Sequence, residues 1–111
     1  MLIVDDHAPF RAAARSLLEA EGFEVVGEAA DGRTAIEAVA WLRPDIVLLD
    51  VQLPDTDGFA VADLLPRDGP AVVLTSSRSA ASFRRRLAAN PAWSFVPKSE
   101  LSGQALVAAM G

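Results

Sequence analysis

Ile46-Val47-Leu48-Leu49-Asp50 is the stretch that decides the fold: four apolar residues in a row, closed by a carboxylate. A strand with one wet face would alternate apolar and polar residues. A continuous run this short is what a strand covered on both faces requires. Working outward, Leu2-Ile3-Val4 and Ala71-Val72-Val73-Leu74 have the same character, and shorter runs at residues 24–26 and 95–96 bring the number to five.

Between these runs the apolar residues change to helical spacing. Residues 9–21 read as a first helix, with Phe10, Ala13, Leu17 and Leu18 on one stripe, Pro9 in the first turn and Gly22 at the end. Residues 33–42 form a second, burying Ile36 and Val39 and stopping before Pro44. The third, at 59–65, is short and is ended by Pro66 and the Asp68-Gly69-Pro70 turn. Residues 79–89 and 102–110 supply the last two, with Ser79 and Ser102 as expected N-caps. Five strand-helix repeats predict a parallel sheet with helices on both faces. Such a sheet takes its ligands at the carboxyl ends of its strands.

Composition sets the outer bounds. A chain of 111 residues is one domain's worth of core. The hydrophobic share of 51% suffices for a globular interior. No apolar run approaches membrane-spanning length, and the first residues do not read as a signal peptide. With no cysteine, disulfides and thiolate metal sites are excluded, and a cytoplasmic setting is expected. The net charge of −5 argues against a nucleic-acid surface over the whole domain.

The polar residues that follow the runs carry the functional argument. Asp5 and Asp6 follow the first run, Asp50 the third, Thr75 the fourth, and Lys98 comes just after the fifth. One rim therefore collects carboxylates, a hydroxyl and an ammonium. Converging carboxylates cannot all stay ionised without help, so either one holds a proton or a cation sits among them. An all-oxygen site with few protein carboxylates suits Mg²⁺. A lysine beside it supplies fixed positive charge for phosphoryl transfer, and a carboxylate can itself be the nucleophile.

Asp5-Asp6, Asp50 with Pro54 and Gly58 downstream, Thr75-Ser76 and Lys98 together resemble the receiver domain of bacterial two-component response regulators. The resemblance spans the whole chain. It implies a flavodoxin-like (βα)5 fold with strand order 2-1-3-4-5 and one receiver domain over residues 1–111, with no output domain in this chain. It also implies a signalling domain that catalyses only its own phosphorylation and dephosphorylation. Asp50 would accept the phosphoryl group from a sensor histidine kinase. Asp5, Asp6, Asp50 and the Gln52 backbone carbonyl would hold Mg²⁺. Lys98 and Thr75 would contact the phosphoryl group, and Phe95 would change rotamer when Thr75 moves. The output is expected on the face of the fourth helix, fifth strand and fifth helix. A downstream protein or a phosphorylation-dependent homodimer would read it, with neither membrane nor direct nucleic acid involved.

Two rival readings fit the sequence less well. A receiver-like module that interacts without phosphorylation would be expected to have lost an acid, the threonine or the lysine, and none is missing. An aspartyl phosphatase would need a second acid two residues after the nucleophile, where Gln52 stands. Among the departures from the family pattern, the interval from Asp50 to Thr75 is short and Lys98 is followed by Ser99 rather than proline. A cis Lys98-Ser99 bond is therefore not expected. His7 reads as the entrance to the first helix; Arg84-Arg85-Arg86 reads either as an anion or partner patch or, in preference, as a solvated helix face. Trp93 reads either as an interface residue or as a cover over the core.

Overall fold

The computed structural model describes residues 1–111. Strands β1 (Leu2–Val4), β2 (Gly27–Ala29), β3 (Ile46–Asp50), β4 (Ala71–Ser76) and β5 (Ser94–Pro97) alternate with helices. The helices are α1 (Ala8–Ala20), α2 (Gly32–Leu42), α3 (Gly58–Leu64), α4 (Arg84–Ala89) and α5 (Gly103–Met110). All strand pairs are parallel and the order is β2-β1-β3-β4-β5, the flavodoxin-like arrangement. No helix is long and apolar enough to cross a membrane.

Strand alternation sorts the interior into two clusters. Leu2, Val4, Val47, Leu49, Val72 and Leu74 point to one face, where Ala35, Val39, Phe59 and Val61 of α2 and α3 cover them. Ile3, Leu48, Val73 and Val96 point to the other, beneath Ala14 and Leu18 of α1 and Leu106 of α5. A sheet buried on both faces explains the continuous apolar runs.

Several boundaries differ from those expected. The second strand is Gly27–Ala29 and not residues 24–26. Val25 is buried, and Val26 N–H donates to the Met1 carbonyl at 2.9 Å, but the paired ladder begins only at Leu2 opposite Gly27. An edge strand can be recruited by its backbone, with Ala29 its only buried residue. On α1 the inward stripe is Phe10, Ala14 and Leu18, and Leu17 is 38% exposed. Gly22, at φ 94°, takes the left-handed turn after α1.

Residues 79–89 are not one helix. A 3-10 turn at Ala80–Phe83 precedes α4, and Ser79 makes no side-chain cap. Ala80 and Ala81 are exposed, so packing holds the segment only from Phe83 onward, and short helices depend on packing. Ser102 caps α5 as expected, accepting from Ala105 N–H at 3.0 Å. The Glu21 carboxylate reaches across from the end of α1 to accept from Gly103 N–H at 2.7 Å. The Lys98-Ser99 peptide is trans.

Candidate functional site

The parallel register brings the rim together. Asp50 and Thr75 are direct partners on β3 and β4, and Thr75 faces Val96 on β5. Asp5 follows β1 and Lys98 follows β5, so four strand ends supply the site. Asp5, Asp6 and Asp50 each offer a carboxylate oxygen within 4.8 Å of the others. Asp5 and Asp50 are buried, whereas Asp6 is exposed. Lys98 Nζ lies 2.6 Å from Asp5 Oδ2 and 3.3 Å from Asp50 Oδ2.

Each buried oxygen can be followed to a partner, with one exception. Asp5 Oδ1 accepts from His7 N–H at 2.8 Å, which also fixes His7 as the residue before α1. Asp50 Oδ1 accepts from Gln52 N–H at 3.2 Å. Asp5 Oδ2 receives no directed hydrogen bond. Its short contact with Lys98 is an ion pair approached outside hydrogen-bond geometry, so lone-pair capacity remains on a fully buried carboxylate. That oxygen, beside two further carboxylates, fits a hard divalent cation such as Mg²⁺.

Burial raises the Asp50 carboxyl to about 6; the neighbouring Asp5 charge adds to the rise, while Gln52 N–H and Lys98 oppose it. Burial also works against the Lys98 ammonium, yet Asp5 and Asp50 together raise its pKa. The lysine thus stays cationic, while burial holds the Asp50 carboxyl above the usual carboxylate range.

The surrounding loops explain how this geometry is held. Gly58 packs so closely on Asp50 that a Cβ there would run into the Asp50 carbonyl, and Gly58 N–H donates to the Val51 carbonyl at 2.7 Å. Asp57 caps α3 through Ala60 N–H at 2.8 Å. Asp55 crosses to α2 and accepts from Gly32 and Arg33 N–H at 2.8 and 3.0 Å, bonds that hold its carboxyl below the usual range.

The Thr75 hydroxyl donates to the Val96 carbonyl at 2.7 Å. Phe95 is half-buried and stands 5.7 Å from the Phe83 ring. Trp93 covers the core, 5.8 Å from Phe59. The Gln52 side chain is exposed.

Sequence reasoning missed three contacts. Arg86 is not merely solvated: it lies over the Phe59 ring at 4.1 Å and pairs with Asp57 at 3.3 Å. Arg11 donates to the Asp5 carbonyl at 2.6 Å while pairing with Glu28 at 3.0 Å. Phe10 presents its ring to Lys98 Nζ at 4.5 Å. One signal was available for the last: Lys98 is the chain's single lysine.

Comparison with known proteins agrees with this geometry. The family model described as the response regulator receiver domain matches residues 1–110. A protein-glutamate methylesterase/protein-glutamine glutaminase of Alkalilimnicola ehrlichii is 41% identical over 92% of this chain and 28% of its own length. The transcriptional regulatory protein PdtaR of Mycobacterium tuberculosis is 41% identical over 68% of this chain and 38% of its own. The crystal structure of the response regulator domain of Thermotoga maritima CheB superposes with a TM-score of 0.77 at 25% identity, covering 97% of this chain and 85% of that one. The chain belongs to the response regulator receiver domain family of two-component signalling. It spans well under half the length of both curated relatives.

Proposed function

We propose that Asp50 is the phosphoacceptor, taking a phosphoryl group from the phosphohistidine of a sensor histidine kinase. The observation that carries this reading is Lys98 Nζ bridging Asp5 and Asp50 at 2.6 and 3.3 Å, inside a cluster of three carboxylates. An Asp50 oxygen attacks phosphorus, the nitrogen–phosphorus bond of the donor breaks, and its electron pair leaves with the imidazole. Asp50 must be ionised to attack, and its pKa of about 6 leaves most of it ionised at neutral pH. Lys98 meets the charge that gathers on the phosphoryl oxygens. The Thr75 hydroxyl gives up the Val96 carbonyl and donates to one of those oxygens.

Asp5, Asp6, Asp50 and the Gln52 backbone carbonyl would hold Mg²⁺, which when bound neutralises carboxylate and phosphoryl charge. Residues 1–111 act as one receiver domain, with no enzymatic activity beyond its own phosphorylation and dephosphorylation. The face formed by α4, β5 and α5 is its readout, recognised by a downstream protein or a second copy. The setting is cytoplasmic, where the kinase's catalytic part and its phosphodonor meet the domain.

The test is mass spectrometry after incubation with acetyl phosphate and Mg²⁺. One added phosphate on the wild type, absent from Asp50→Asn and from wild type in chelator, is expected. A chain that stays unmodified under these conditions, or a variant that gains the same label, overturns the assignment.

A further inference from the structure

Nine of the ten basic side chains are arginines, and the single lysine sits at the rim. A compact ammonium with three donors can pivot between partners, unlike a planar guanidinium fork. Lys98 has three neighbours of opposite or complementary character: Asp5 at 2.6 Å, Asp50 at 3.3 Å and the Phe10 ring at 4.5 Å from its centroid. The lysine side chain is only 21% exposed, so the ring contact is partly shielded from water. Phe10 lies in the first turn of α1 and is half-buried against the cluster beneath α1 and α5.

We propose that Phe10 is a positioning residue for Lys98, acting on phosphoryl transfer through the lysine, and this rests on Asp50 being the acceptor. The electron-rich face of an aromatic ring attracts an ammonium without prescribing a direction. A carboxylate or amide in the same place would hold Lys98 by a directed hydrogen bond and oppose its movement. The ring instead keeps the ammonium at the mouth of the site while it turns from Asp5 toward the incoming phosphoryl oxygens. Phe10 also continues the inward stripe of Ala14 and Leu18, and packing is the competing explanation for its presence.

Phe10→Leu keeps apolar volume and removes the ring; Phe10→Tyr keeps the ring. With acetyl phosphate and Mg²⁺, Phe10→Leu is expected to phosphorylate about fivefold more slowly, the size of a partly shielded cation–ring attraction. Phe10→Tyr should stay within about twofold of wild type, a margin well inside the same attraction. The lone lysine also gives one ε-methylene NMR signal. It should be displaced upfield by the ring in wild type and Phe10→Tyr, and relax toward the free-lysine position in Phe10→Leu. Equal slowing in both variants, or wild-type speed in Phe10→Leu, overturns the positioning role and leaves packing. A wild type that takes no phosphate removes the positioning role together with the Asp50 reading; a displaced lysine signal then shows that the Asp50 reading failed, not the ring contact.

Discussion

The Thr75 hydroxyl is bound to the Val96 carbonyl, 2.7 Å away on the neighbouring strand. In this state β4 and β5 are tied by a side chain as well as by their ladder, and the tie lies in register with Asp50, the direct partner of Thr75 on β3. Phosphorylation would release it. Phe95 and Trp93 lie on the same segment, in an aromatic cluster with Phe59 and Phe83. Beryllofluoride with Mg²⁺ should therefore change Trp93 emission in a Trp41→Phe background, where the 87% exposed second tryptophan no longer contributes. Thr75→Ala should bind the mimic and show no change. Amide exchange unaltered from Thr75 to Leu101 would show that this face is not the readout.

The raised Asp50 pKa makes a prediction about pH. Its folded value of about 6 lies above the ordinary carboxylate value of 3.8, so the folded domain binds the proton more tightly than the unfolded chain. Stability from this group is fully present below about pH 4 and is lost as pH rises through about 6. The loss is at most about 3 kcal/mol, and is counted against the opposite trend of ordinary carboxylates. Metal-free urea melts of wild type and Asp50→Asn should diverge across that window, with the variant gaining relative stability as pH rises. Mg²⁺ should shrink the divergence. Parallel curves would contradict the burial argument.

Asp6 is the exposed member of the cluster, so its removal costs no buried contact and relieves repulsion. Asp6→Ala should melt at or slightly above the wild-type temperature without metal, yet bind Mg²⁺ and accept phosphate poorly. Scanning calorimetry with and without Mg²⁺ checks both halves, and a melt several degrees below wild type in the cation-free sample would refute the first.

Gly58 has no room for a side chain, because the Asp50 carbonyl and Val51 backbone occupy the space. Gly58→Ala should destabilise the domain by about 1–3 kcal/mol, the usual size for overpacking against backbone. It should also slow phosphorylation of Asp50, since the strand end must move to accommodate the methyl group. Wild-type stability by urea titration would show that the α3 entrance yields freely.

The central strands were legible because burial on both faces demands continuous apolar runs, and residues 46–49 and 71–74 supply them. The rim was legible because each polar residue sits immediately after such a run. Less readable were segments held by something other than their own apolar pattern. Gly27-Glu28-Ala29 has little strand character; the backbone of β1 recruits it, and Arg11 and Arg15 hold Glu28 from above. Residues 80–82 have helical composition but nothing to pack against, and with Phe83 they form a 3-10 turn. The contacts of Phe10 and Arg86 join residues far apart in the chain, and single-chain periodicity carries no information about such pairs.

The sheet that separates the two apolar clusters also separates two kinds of evolutionary freedom. The proposed relay from Thr75 through Phe95, Phe83 and Phe59 to Trp93 packs within the cluster beneath α2 and α3. The other compartment, roofed by α1 and α5, shares only the sheet with it. Substitutions on the outer surface of α1 can thus drift toward new partners while the aromatic relay stays intact. A lineage could exchange the upstream protein it listens to without rebuilding the device that reports the message.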